Sequence, residues 1–217
     1  MKFVPTVPHL FESSILAMQE PIISHRSDNF NSLFNDVKNN LIRLSFNYFY
    51  PIIVTGTGTY ANELMIWNFA HLANKILILT NGEFGQRLKN QCLKCRADSL
   101  IMDFGWGKPF DFEQIAKTLE GNNNIDWIYA VAMETSCGMK NSVDKLNSLA
   151  QKFKVKIALD AVSDIGVNNE LFRYDSVKIL SASSGKALAA LPGISLLFVA
   201  NDLEIKEFDS CQSPYQL

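Results

Sequence analysis

The chain has 217 residues, 47% of them hydrophobic and 19% charged, enough apolar material for a substantial core and too much for a disordered segment. Its net charge of −2 gives no electrostatic basis for binding nucleic acid or an anionic membrane surface. No apolar run approaches the ~20 residues of a membrane-spanning helix, and the opening "MKFVPTVPHLF" is broken by two prolines and lacks a signal-peptide core. The expectation is a cytoplasmic protein of one large domain.

In chain order, the first fifty residues are irregular apart from a helical pattern over 29–45. Seven short apolar runs then read as strands: 52–55, 75–80, 99–102, 127–133, 156–160, 177–181 and 194–200. Most are continuously apolar rather than alternating, as in strands covered on both faces. Helical patterns over 60–73, 84–95, 110–121 and 142–154 separate several of them. Strand–helix alternation predicts βαβ units and a mostly parallel α/β sheet. Between Ser181 and Ile194 the linker is too short and too rich in Gly and Pro for a parallel crossover. The last strand is therefore expected to run antiparallel to its neighbours.

Four cysteines are present: Cys92, Cys95, Cys137 and Cys211. Cys92-Leu-Lys-Cys95 is a CxxC inside a helical pattern. It has no second pair at zinc spacing, so it reads as two helical thiols and no metal site is expected.

Three features carry chemistry. "IIVTGTGTYANE" is strand, Gly-rich turn and helix start. Its N–H groups, with Thr57, Gly58 and Thr59, suit an anion such as phosphate, or form a plain βα turn. It is not a Walker loop, and Asn62 stands where a dinucleotide fingerprint has its third glycine. No acid closes the next strand either, so a dinucleotide reading is disfavoured. Asp160 ends a buried strand, either as a cap or as an acid facing the crevice beyond the strand ends. Lys186 sits in "SASSGKALAALPG", just past the following strand end. An anion cradle, a strand-end acid and a lysine among small residues together match what pyridoxal 5'-phosphate requires: a phosphate site, a partner for its ring nitrogen and an amine.

The motifs that carry these residues resemble the class V aminotransferases, a branch of the fold-type I pyridoxal phosphate enzymes. "GTGTYANE", "NGEFGQR", "ETSCG", "DAVSDIG" and "SGKALAALPG" occur in the family's order, and "VPTVPHLFESSILAMQEPIISHRSDNF" resembles its opening. The resemblance implies a three-layer αβα sandwich. It makes 1–45 an N-terminal segment and 46–217 the cofactor-binding large domain, with the family's small C-terminal domain absent. It implies that Lys186 forms a Schiff base with the cofactor and that Asp160 keeps the ring nitrogen protonated. Phe84 would stack on the ring, with a core aromatic as the alternative. Thr57, Gly58 and Thr59 would hold the phosphate, and Ser183 would lie near it. Thr135 would donate to the ring's phenolic oxygen or help orient Asp160. Phe84, rather than His, points away from the cysteine desulfurase branch, whereas Gly185 departs from the Gln, Asn or His usual before the lysine. The implied reaction moves an amino group from alanine, serine or 2-aminoethylphosphonate to a 2-oxo acid such as pyruvate or glyoxylate, in a homodimer. The alternative is a truncated, catalytically silent domain that binds the cofactor or a partner chain.

Overall fold

The computed structural model describes residues 10–204. The expectations for residues 1–9 and 205–217, including Cys211 and most of the opening proline segment, lie outside the described residues.

A seven-stranded sheet is formed by β1 (Phe49–Thr55), β2 (Ile76–Thr80), β3 (Ser99–Asp103), β4 (Trp127–Val131), β7 (Lys156–Asp160), β8 (Val177–Ser183) and β9 (Ile194–Ala200). Its order is β1-β9-β8-β7-β4-β2-β3. β9 runs antiparallel to both β1 and β8, and the other pairings are parallel. The short link before Ile194 thus forces the reversal expected of it, and β9 lies inside the sheet rather than at its edge.

The helices are α1 (Glu12–Ala17), α2 (Asp28–Leu44), α3 (Gly58–Phe69), α4 (Glu83–Lys94), α5 (Phe112–Glu120) and α6 (Val143–Phe153). Side-chain alternation sorts the core into two layers. Ile76 and Ile78 of β2 join Leu64, Met65 and Ile66 of α3 and Leu88 of α4 on one face. Leu77 and Leu79 join Ile115 of α5 and Leu146 of α6 on the other. Helices therefore cover both faces of the sheet, which is why its strands read as continuous apolar runs. Local chemistry sets the helix starts: Asp111 accepts hydrogen bonds from the N–H groups of Glu113 and Gln114, both at 3.0 Å, and Ser27 accepts one from Phe30.

Some boundaries differ from expectation. β1 begins at Phe49 and runs through Pro51, because β1 is an edge strand where a missing N–H breaks no ladder bond. β8 continues to Ser183. The run expected as one strand over 127–133 ends at Val131, and Met133–Glu134 instead pairs with Met139–Lys140 as a small hairpin, β5 and β6. The one-turn α1 has no counterpart in the periodicity. Cys92 lies buried within α4 and Cys95 caps its end, and burial pushes the Cys92 thiol up. Among the described residues, no helix is long and apolar enough to cross a membrane, and no group of His, Cys, Asp and Glu gathers to hold a metal ion.

Candidate functional site

Six of the seven strands point the same way, so the ends of β1, β8, β7, β4 and β2 share one edge of the sheet. The residues singled out in the sequence follow those ends: Thr57, Gly58 and Thr59 after β1, Phe84 after β2, Thr135 after β4, Asp160 at the end of β7, and Ser183 and Lys186 at and beyond the end of β8.

Thr57 caps α3, its hydroxyl accepting from the Tyr60 N–H at 3.3 Å. Gly58 and Thr59 open the helix, so their N–H groups have no intrahelical acceptor and meet the positive end of the helix dipole. Gly58 is required by a close approach: a Cβ there would stand 2.5 Å from Cγ1 of Val162, in the turn after β7. The β8–β9 turn is tied to the same place. The Gly56 N–H donates to the Gly193 carbonyl at 2.8 Å, and Ser195 Oγ donates to the Thr57 carbonyl at 2.7 Å. Thr59 Oγ1 accepts from Arg87 of α4.

Lys186 is half-buried in the turn after β8, and its amine has no hydrogen-bond or ion-pair partner among the described residues. The small residues around it do more than leave room. A Cβ on Gly185 would come 2.9 Å from Cα of Pro192, and one on Gly166 would come 2.8 Å from the Ala187 backbone. The lysine turn thus folds tightly on itself and against the turn after β7. Ser184 closes it, donating to the Leu191 carbonyl at 2.6 Å and accepting from the Ile194 N–H. Ala189 takes a left-handed conformation, φ 53°, rare for a residue with a side chain. Ser183 is buried at the strand end opposite Ser195 of β9.

Asp160 is buried behind these elements. Its Oδ1 accepts from the Val162 N–H at 3.1 Å and its Oδ2 from Nδ2 of Asn62 at 2.6 Å. Burial pushes its carboxyl above the ordinary range. The Val162 and Asn62 bonds oppose that, the Glu134 charge adds to it and the Arg87 charge subtracts. Nearby Asp164 is also buried and raised, chiefly by desolvation, and its Oδ1 has no partner.

Phe84 is half-buried in the first turn of α4, with the Arg87 guanidinium 5.2 Å from its ring centre. Thr135 is exposed in the β5–β6 turn and makes no bond to Asp160, whose hydrogen bonds come from Val162 and Asn62. Its neighbours hold the structure of "ETSCG". Glu134, fully buried, accepts from the N–H groups of Phe84, Gly85 and Ser136 and from the Ser136 hydroxyl. Ser136 Oγ accepts from the Glu83 N–H at 3.0 Å. The segment is thus a cap for α4, and it fixes the place of Phe84.

Sequence reading missed Asn62 and Glu134. Asn62 carried a signal: it is a polar residue among Ala61, Leu64, Met65, Ile66 and Phe69, all buried. Its partners, 98 and 119 residues away, carried none.

A model of the family described as Aminotransferase class-V matches residues 14–209. An uncharacterized aminotransferase of Methanocaldococcus jannaschii is 28% identical over 85% of this chain and 48% of its own length. A 2-aminoethylphosphonate–pyruvate transaminase of Bacillus mycoides is 23% identical over 82% of this chain and 49% of its own. The solved alanine–glyoxylate aminotransferase of Nostoc sp. superposes with a TM-score of 0.78 at 25% identity, over 93% of this chain and 55% of its own. The chain spans about half the length of the curated relatives it matches. With a family match over nearly its whole length and a sheet whose strand ends gather the family's motifs, this chain belongs to the class V aminotransferases.

Proposed function

We propose that this chain forms the cofactor-binding part of a pyridoxal-phosphate-dependent aminotransferase. The observation that carries the reading is the meeting, at one sheet edge, of the α3 N-terminus, the buried Asp160 and the unpartnered Lys186 amine. These residues fit the cofactor. The free N–H groups and hydroxyls at 57–59 suit its phosphate, a buried acceptor suits its ring nitrogen, and an unengaged amine suits its aldehyde.

When bound, pyridoxal phosphate supplies an electron sink for a carbanion at the substrate Cα. Lys186 Nζ would be the covalent anchor, and its amine would also serve as the general base and acid that takes up and delivers the substrate Cα proton. Asp160 would keep the ring nitrogen protonated. Phe84, fixed by the Glu134 cap, would stack on the ring and exclude water from it. Arg87, bonded to Thr59, adds positive charge beside the phosphate cradle. The amino donors that suit the reading are alanine, serine and 2-aminoethylphosphonate, with pyruvate or glyoxylate as acceptor. The names of the Bacillus mycoides and Nostoc relatives support 2-aminoethylphosphonate and alanine as donors and pyruvate and glyoxylate as acceptors. A homodimer belongs to the same proposal. α1 buries no residue, and Phe11, Leu16 and Leu33 are each more than half exposed, apolar surface of a kind that a second copy covers.

The test is reduction with borohydride in the presence of pyridoxal phosphate, followed by peptide mass spectrometry. An adduct on the Lys186 peptide is expected, and an adduct elsewhere, or none, overturns the assignment. Half-reactions with the three donors, followed by cofactor absorbance, then separate a transaminating chain from one that only binds cofactor. Asp160→Asn is expected to retain an adduct and lose the half-reaction. Sedimentation as a concentration-independent monomer removes the dimer.

A further inference from the structure

Asp160 is served by a side chain that none of the motifs assigns. Asn62 lies in the second turn of α3, facing the sheet, where α3 crosses β8 and β9. It is 5% exposed, Asp160 6% and Ser181 0%, so the three form a chain with almost no access to water. Asn62 Nδ2 donates to Asp160 Oδ2 at 2.6 Å, and Asn62 Oδ1 accepts from Ser181 Oγ. Ser181 stands directly opposite Asp160 in the β7–β8 ladder.

We propose that Asn62 is a positioning residue for Asp160: locked by the Ser181 hydroxyl, its amide presents a fixed donor that holds the carboxylate in one orientation and in its ionised form. This rests on the reading of Asp160 as the acid that faces the cofactor.

The polarity of the chain supports it. An amide has a donor end and an acceptor end. A carboxylate can only accept, so it takes the donor end, and the remaining oxygen then requires Ser181 to donate. Protonating Asp160 would remove that demand and let the amide turn round. In the orientation seen, the Asn62 donor end meets the carboxylate and its acceptor end meets the Ser181 hydroxyl, the arrangement that an ionised Asp160 needs. Other groups act on the same carboxylate: Glu134 from β5 opposes its charge, while Arg87 from α4 and the Val162 N–H favour it. Burial opposes the charge most strongly, so the Asn62 bond offsets a penalty the site itself creates. The Asn62 side chain makes its hydrogen bonds to Asp160 and Ser181, and none to residues 57–59 or Lys186, so its influence passes through Asp160.

The test is a pH titration of the Asp160 carboxyl carbon by NMR in the full 217-residue chain without cofactor, with Asp160→Asn assigning the resonance. Asn62→Leu keeps the volume and removes the donor, and is expected to raise the midpoint by about 1–2 pH units. Ser181→Ala is expected to shift it in the same direction by less, and to have no further effect in the Asn62→Leu background, because Ser181 acts through Asn62. An unmoved midpoint in folded Asn62→Leu overturns the proposal, as does a Ser181→Ala shift that survives in the double variant. Should Asn62→Leu not fold, Ser181→Ala alone decides: no upward shift overturns the proposal. The same samples are then treated with pyridoxal phosphate. A shifted midpoint with no adduct at Lys186 sinks the aminotransferase reading alone. An adduct with an unmoved midpoint sinks this inference alone.

Discussion

Two buried carboxylates stand at the same edge of the sheet and are treated in opposite ways. Glu134 receives hydrogen bonds from three backbone N–H groups and a hydroxyl, and sits at the start of α4, where the helix dipole favours a negative charge. Asp160 receives two, and burial raises its carboxyl. A carboxylate offers about four acceptor positions. Glu134 is committed to holding the protein together, whereas Asp160 keeps acceptor capacity in reserve at a cost in folding energy. Surplus capacity on a buried charge, rather than burial alone, separates the residue proposed for chemistry from the one that builds the frame.

That contrast can be broken in several places. The largest effect is expected from Glu134→Ala, which strands the first N–H groups of α4. A loss of about 3 kcal/mol is expected in denaturant unfolding, and a loss below about 1 kcal/mol would mean that α4 does not depend on this cap. Gly58→Ala comes next. The clash with Val162 should cost about 2 kcal/mol, and much of it should return in the Gly58→Ala/Val162→Ala pair, as a double-mutant cycle measures. Additive effects would show that the two segments do not press on each other.

A third test uses pH. Ionising Asp160 is harder in the folded chain than in the unfolded one, so between about pH 3.9 and the raised folded value the unfolded state binds fewer protons. Stability of the cofactor-free chain should therefore fall as pH rises through that window, by at most about 1.4 kcal/mol per pH unit from this group. Asp160→Asn should flatten the slope, leaving the contribution of Asp164, which has the same sign. An unchanged slope in thermal melts would show that Asp160 is not strained by burial. The smallest effect belongs to Thr135→Val. Exposed between two residues of the cap, it should change stability by less than about 0.5 kcal/mol. A larger loss would place Thr135 in the frame with Glu134.

The strand-end residues were legible because their signals are local: a buried strand followed by Asp160, and a Gly-punctuated turn around Lys186. The antiparallel β9 was legible from the short, Gly- and Pro-rich linker before it. Pro51 concealed the start of β1, since a proline argues against a strand until the strand is known to lie at an edge. "ETSCG" was legible as a motif, but the cap that its Glu134 forms was not: it depends on α4, fifty residues earlier, which no local pattern reports. The Asn62–Ser181 contact joins a helix to a strand across 119 residues. Its only trace was one polar side chain on an apolar helix face, a signal easily set aside as a helix-surface position.

The antiparallel insertion of β9 between β1 and β8 has a consequence for the order of assembly. Among the described residues β1 pairs only with β9, and the turn after β1 is tied down by Ser195 across 138 residues. As the chain leaves the ribosome, its first strand waits for a partner made more than a hundred residues later, while the more local pairings β2–β3 and β7–β8 close first. Closing so long a loop costs entropy before any contact rewards it. The turn at 56–59 is thus among the last parts of the sheet edge to be completed, because its ties to Gly193 and Ser195 wait for the lysine turn and the strand beyond it.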